Sequence, residues 1–347
     1  MEQRTLGPSS LVVSELALGT MTFGVETPED EAHRQLDRFV EVGGTFVDTA
    51  DVYGAGASEE IIGRWLARTA DTDHLVLTTK GRFPMGPGPM DRGAGRRHLT
   101  RALDDSLRRL GVESIDLYQV HGWDVAAPLE ETLTTLDGFV RSGKVRHVGL
   151  SNYTGWQLQR AIRLGEALGT EPIISLQAQY NLLAREIELE LLPQCLEEGL
   201  GLLPWSPLGG GWLTGKYRSD ERPTGATRLG EDPNRGVEAY DRRNVPRTWE
   251  TLEAVEAVAD AHGRSLAQVS LAWLLRRPAV SSVILGARTL AQLEDDLGAV
   301  DVVLTDDDVE ELAVASAPGI PDYPYRMQAR QMAMTIWDEL RTRPEPD

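Results

Sequence analysis

Short apolar runs rich in β-branched residues recur along the chain, and segments of helical period separate them. The runs predict strands starting near Leu16 (LALGT), Thr45 (TFVDTA), Leu75 (LVLTTK), Ile115 (IDLYQVH), Val145 (VRHVGLSN), Ser175 (SLQAQYN), Gly201 (GLLPWSP) and Ser282 (SVILGA). Successive starts lie 29, 30, 40, 30, 30, 26 and 81 residues apart. A spacing near 30 is what one strand, one crossover helix and two short loops require. Between the strands, apolar residues return to one helical face. Leu99, Leu103, Leu107 and Leu110 do so, as do Leu129, Leu133, Leu136 and Val140, with Pro128 in the first turn.

Eight strand–helix units in series fit a closed parallel (β/α)8 TIM barrel better than an open sheet. The strands are apolar nearly throughout, as expected when helices cover them. The expected fold is α/β: an N-terminal hairpin, a long loop after the seventh strand and extra helices at the C-terminal side. Residues 1–347 read as one domain, with the barrel over about 16–300 and a helical extension over about 305–340. The last spacing is long because residues 209–248 are rich in Gly, Pro, Asp and Arg, and loops of that length are usually functional or disordered. Helices are predicted over about 249–262 and 266–277, another after the capping Thr305, and another over 326–340.

The net charge of −19 argues against a nucleic-acid partner, because phosphate binding needs clustered Lys and Arg. One cysteine, Cys195, cannot form an internal disulfide. The opening MEQRTLGPSS lacks the blocks of a signal peptide and no apolar run reaches membrane-spanning length, so a cytoplasmic protein without a membrane partner is expected. Lysine occurs three times, at Lys80, Lys144 and Lys216, against 32 arginines. Each is a candidate for a task arginine cannot perform.

In such a barrel, reactive groups sit at the C-terminal ends of the strands. Asp48 ends the second strand, with Tyr53 five residues on. Lys80 ends the third, His121 the fourth, and Ser151 and Asn152 the fifth; Gln177 lies in the sixth and Trp205 in the seventh. Any one of these alone has an ordinary structural explanation; four ionisable types at neighbouring strand ends form a coherent set. A phenol titrates too high to exchange protons readily near neutrality, a nearby ammonium lowers its pKa, and a carboxylate holds the ammonium in place. A compact lysine suits that task better than arginine. His121 can hydrogen-bond a polarised carbonyl oxygen. This is the equipment of a carbonyl reductase, and the hydride must come from a cofactor.

The blocks GTFVDTADVYGAGASEEIIGRWL, LVLTTKG, IDLYQVH, GKVRHVGLSN, SLQAQYNLLARE, LLPWSPLGGGWLTGKY and SVILGARTLAQLEDDLGA, in that order over residues 4–300, resemble the aldo-keto reductase family. The resemblance implies a (β/α)8 barrel, an NADPH/NADP+ cofactor, a small-molecule carbonyl substrate and the catalytic four Asp48, Tyr53, Lys80 and His121. It implies that Thr20, Met21 and Asp48 lie along the cofactor, that Ser151, Asn152 and Gln177 hydrogen-bond the nicotinamide carboxamide, and that Trp205 stacks on its ring. Ser206, Pro207, Leu208, Gly210 and Lys216 would meet the pyrophosphate. Gly286, Arg288, Gln292, Asp295 and Asp296, with Arg228, would meet the adenosine end. Asp296 departs from the asparagine common in relatives. Arg288, whose planar fork suits a 2′-phosphate, would give a preference for NADPH; the alternative is that it pairs with a neighbouring carboxylate. Phe23 and Trp123, with Tyr53 and His121, would line the substrate mouth.

Other chemistries find less support. Gly54 and Gly56 mimic a dinucleotide fingerprint, but Glu59 stands at the third glycine. The six histidines show no paired-ligand spacing for a metal, and no G-x-S-x-G suggests a hydrolase. A Schiff-base lyase using Lys80 would leave Trp205, the glycine loop and Arg288 without a task. A non-enzymatic nucleotide-binding subunit, like the potassium-channel beta subunits that share the fold, typically carries Asn where His121 stands.

Overall fold

The computed structural model describes residues 1–225, 227–234 and 236–327. The strands are β1 (Gln3–Thr5), β2 (Val12–Ser14), β3 (Leu16–Gly19), β4 (Phe46–Asp48), β5 (Val76–Gly81), β6 (Ile115–Val120), β7 (Val145–Ser151), β8 (Ile173–Gln179), β9 (Gly201–Trp205) and β10 (Val283–Gly286). β1 and β2 form the expected antiparallel hairpin. The other eight pair in parallel in the order β10-β3-β4-β5-β6-β7-β8-β9. The two outer strands meet across a short seam, where Leu202 accepts from the Ser281 N–H at 3.0 Å and donates to the Ala279 carbonyl at 2.8 Å. The barrel is thereby nearly closed. It belongs to a compact unit, Met1–Ser316.

Helices Glu29–Glu41, Ala57–Arg68, Arg96–Leu110, Leu129–Arg141, Gly155–Leu168 and Leu191–Glu197 link successive strands. Pro128 caps its helix rather than opening it, since its carbonyl accepts from Thr132. The long segment after β9 is not structureless: it carries short turns of helix at Gly209–Thr214, Arg228–Glu231, Gly236–Glu238 and Tyr240–Arg243. Helices Pro246–His262 and Leu266–Leu275 follow, and Asp306–Ala315 starts at the predicted cap, with the Thr305 hydroxyl accepting from Asp308 N–H at 3.1 Å. In the separate unit from Ala317, Arg326 pairs with Asp322 at 3.1 Å. The helix expected over 326–340 falls, after Met327, outside the described residues.

The barrel interior explains which end can react. Ala17, Phe46, Val76, Leu117, Ile174, Leu203 and Ile284 form a buried apolar layer, and Leu6 and Val13 of the hairpin pack against it. The hairpin enters closely: a Cβ on Gly7, at φ +56°, would lie 2.0 Å from the Ile174 carbonyl oxygen. That end is stoppered, which leaves polar groups to the opposite end. A second, larger core lies between the strands and the surrounding helices.

Candidate active site

β4 pairs with β5 with Asp48 opposite Thr78, and Lys80, two residues further on the same face, reaches back to Asp48 at the C-terminal end of the barrel. Lys80 is fully buried and spends its three N–H groups on Asp48 Oδ2 at 2.6 Å, the Thr49 carbonyl at 2.8 Å and Tyr53 Oη at 3.2 Å. The other Asp48 oxygen accepts from Gln177 Nε2 at 2.9 Å. Burial alone would discharge Lys80, but the Asp48 carboxylate and Tyr53 outweigh it and hold the ammonium above its usual pKa. For Tyr53 the sum differs from the sequence expectation. Lys80 pulls the phenol down, yet burial, reinforced by Asp48 and Asp51, keeps it above its ordinary value. Tyr53 therefore stays protonated at neutral pH.

His121 follows β6 and stands edge-on to Tyr53, ring centroids 5.8 Å apart, with Phe83 on its other flank at 4.7 Å. Burial first, then Lys80 and Arg82, push its pKa well below the ordinary histidine value, so it is neutral. Its Nδ1 is buried without a hydrogen-bond partner.

The next strand ends are tied to this group. Asn152 Nδ2 donates to the His121 carbonyl at 3.0 Å and to Ser151 Oγ at 3.1 Å, and its Oδ1 accepts from Trp205 Nε1 at 3.0 Å. Thr20 donates to the Asp48 carbonyl at 3.0 Å, while Met21 next to it is exposed. Backbone strain concentrates here. Arg82, Asn152 and Ser206, each just after a barrel strand, have positive φ of 139°, 58° and 53°. Such conformations persist only where the surroundings over-determine them.

Beyond Trp205, Ser206, Pro207 and Leu208 lead into Gly209, Gly210 and Gly211, all at positive φ. A Cβ on Gly211 would lie 2.4 Å from Lys216 Nζ, so the turn keeps the ammonium close to bare backbone. Past β10, Gly286 borders open space, Gln292 Oε1 accepts from Arg288 N–H at 2.9 Å, and Asp295 is exposed. Asp296 is buried, and burial, with the Asp295 charge beside it, pushes its carboxyl up to about 8. The carboxylate is thus covered by protein and lies within reach of the Lys216 charge.

Two acids of the long loop were missed by sequence reasoning. Glu231 takes both arms of Arg288, at 2.9 and 3.0 Å, and Glu26 adds a third contact at 3.5 Å. The buried Glu238 accepts from Ser206 Oγ at 3.3 Å and from Arg243 Nε at 2.8 Å, and its Cβ stands 3.1 Å from where a Gly210 Cβ would be. Their only signal was position: acids interleaved with Arg228 in a loop that follows a glycine run. Arg228 itself lies near Gly210, its Cδ 3.6 Å from a Cβ built there.

At the substrate side, Trp123 meets Tyr153 and the exposed Trp156, each at 5.4 Å. Phe23 is corrected: it is fully buried in the outer core, so it backs the wall instead of facing a substrate. Glu59, which ruled out the dinucleotide fingerprint, is a buried structural acid, bonded by Thr79 Oγ1 at 2.5 Å and Arg109 Nε at 2.7 Å. Among the described residues no cluster of His, Cys, Asp and Glu could hold a metal, and no helix is long and apolar enough to cross a membrane.

A buried ammonium between a carboxylate and a phenol, at the open end of a parallel barrel, defines an oxidoreductase-type site, and sequence comparison says which family it comes from. The pattern of the Aldo/keto reductase family matches residues 15–316, and the chain belongs to that family. It is 37% identical to YrpG, an uncharacterized oxidoreductase of Bacillus subtilis, over 88% of this chain and 92% of that protein. It is 34% identical to a probable voltage-gated potassium channel subunit beta of Arabidopsis thaliana, over 87% and 92%. With the aldo-keto reductase yakc [NADP(+)] of Schizosaccharomyces pombe it shares 33% over 83% and 84%.

Proposed function

We propose that this protein is an NADPH-dependent reductase of aldehydes or ketones, with Tyr53 as proton donor. The observation that carries this reading is the Lys80 ammonium held between Asp48 and Tyr53. The residues present fit the cofactor. The bare turn Gly209–Gly211 beside Lys216 suits phosphate, and Trp205, fixed by Asn152, offers a flat face to a heterocycle. Ser151, Asn152 and Gln177 would hold the nicotinamide end, and Arg288 the adenosine end. When bound, the nicotinamide would supply the hydride.

The chain's own groups manage the proton. A carbonyl oxygen gains negative charge as hydride reaches its carbon, and Tyr53 Oη, protonated at rest, donates to it. Lys80 stabilises the phenolate left behind, and Asp48 keeps Lys80 charged and in place. His121, neutral, can donate one N–H to the same oxygen and orient the substrate against Tyr53.

The charged state of Lys80, with all three N–H groups engaged, speaks against a Schiff-base lyase, which needs a free amine. A regulatory, non-catalytic role is suggested by the Arabidopsis relative's name, and turnover separates it from the reductase. Purified protein should consume NADPH with a panel of aldehydes, ketones and quinones. Tight NADPH binding without consumption across the panel would overturn the enzymatic reading.

A further inference from the structure

Arg82 sits two residues beyond Lys80, in the loop after β5, half-buried beside Phe83 and Trp123. In a protein of charge −19, most arginines here hold a carboxylate. Arg82 has no carboxylate within ion-pair distance among the described residues. Its one side-chain hydrogen bond runs from Nη2 to the Trp123 carbonyl at 3.0 Å, and its Nε is buried with no partner. Nearby Asp124 is engaged elsewhere, accepting from the N–H groups of Ala94 at 2.7 Å and Ala126 at 2.9 Å. The guanidinium carbon lies 5.0 Å from the centre of the Phe83 ring, which flanks His121. A cation with no direct ion pair among the described residues, though Asp124 lies within reach of its charge, thus stands one aromatic ring away from the group placed at the substrate carbonyl. Its backbone, at φ +139°, is one that residues other than glycine rarely adopt. An arginine stands there despite that cost.

We propose that Arg82 selects carbonyl substrates bearing a carboxylate across a flat ring from the reacting carbon, the ring lying against Phe83 and Trp123. This rests on the reductase reading of the same site. A half-buried guanidinium with bonding capacity to spare gains most from an anion that it can meet fork to fork. Trp123, held by Tyr153 and Trp156, supplies the platform for the ring.

The test compares kcat/KM for 4-formylbenzoate and its methyl ester at saturating NADPH. The wild type should favour the carboxylate by about tenfold to a hundredfold, the range of one charge-assisted hydrogen bond. Arg82→Gln should bring the ratio near unity, chiefly through KM, and Arg82→Lys should keep part of it. A merely structural brace would lower both substrates together and leave the ratio alone. Arg82→Gly, which relieves the backbone, provides a second charge-free variant and should show the same loss. No preference in the wild type, or a ratio unmoved in Arg82→Gln and Arg82→Gly, overturns the proposal. If neither aldehyde is turned over while other carbonyls are, the selectivity is wrong and the reductase stands. If none is, both fall.

Discussion

Arg288 and Glu231 face each other fork to fork, with hydrogen bonds of 2.9 and 3.0 Å. The carboxylate occupies the donors that a phosphate would take. If the cofactor binds at Arg288 as proposed, its phosphate must displace Glu231, and the two anions would compete. Glu231→Gln should tighten NADPH more than NADH, and Arg288→Ala should weaken NADPH selectively, by about tenfold to a hundredfold. Dissociation constants for both cofactors decide this; an NADPH/NADH ratio unchanged by Arg288→Ala would remove the residue from phosphate recognition.

Tyr53→Phe should lower kcat by about a hundredfold or more, with NADPH affinity nearly unchanged. The phenyl ring keeps the packing against His121 and loses only the Oη that meets Lys80. Steady-state reduction together with cofactor titration separates the two effects. Wild-type turnover in this variant would show that another group gives the proton.

Asp51 is fully buried with neither carboxyl oxygen hydrogen-bonded, and burial, with Glu59 nearby, pushes it up to about 7. Unfolded, it would titrate near 4. Between those values the folded state binds the extra proton, so stability falls as pH rises from about 4 to about 7. Asp51→Asn removes that slope. Its stability relative to wild type should improve from pH 4 to pH 8 by an amount on the order of a few kcal/mol. Denaturant melts at both pH values measure it, and parallel pH dependence in the two proteins would refute the assignment.

Gly63→Ala sets two effects against each other. Alanine is the better helix former by about 1 kcal/mol, and Gly63 lies within helix Ala57–Arg68. Its Cβ, however, would sit 2.2 Å from the Arg109 carbonyl oxygen, part of a neighbouring helix backbone that cannot turn aside as a side chain would. Overpacking of that kind costs about 1–3 kcal/mol. The clash should win, and thermal unfolding should shift down by a few degrees; an upward shift would mean the two helices part freely.

The strands were legible because each is a short apolar run at a regular interval. Only β8 began noticeably early, at Ile173 where Ser175 had been expected, since Ile173 and Ile174 extend the same apolar run. Asp48, Tyr53, Lys80 and His121 were legible because strand ends in a parallel barrel converge on one mouth. What could not be read depends on distances across the sequence. Nothing local says that Glu231 reaches Arg288, 57 residues away, or that Phe23 is covered while Trp156 stays 59% exposed. The net rise of the Tyr53 pKa was hidden for a similar reason: it is a balance between burial and charges, and burial has no signature in the motif.

The pairing of β3 with β10 joins Leu16–Gly19 to Val283–Gly286. During synthesis, the first barrel strand leaves the ribosome long before its outer partner exists. Until some 267 further residues have followed, the growing sheet carries two unsatisfied edges, and such edges recruit other chains. The seam at Leu202 is equally late, because Ala279 and Ser281 also come from the end of the barrel. A nascent chain stalled before Val283 is therefore an open sheet, and ring closure is the event that removes both of its edges.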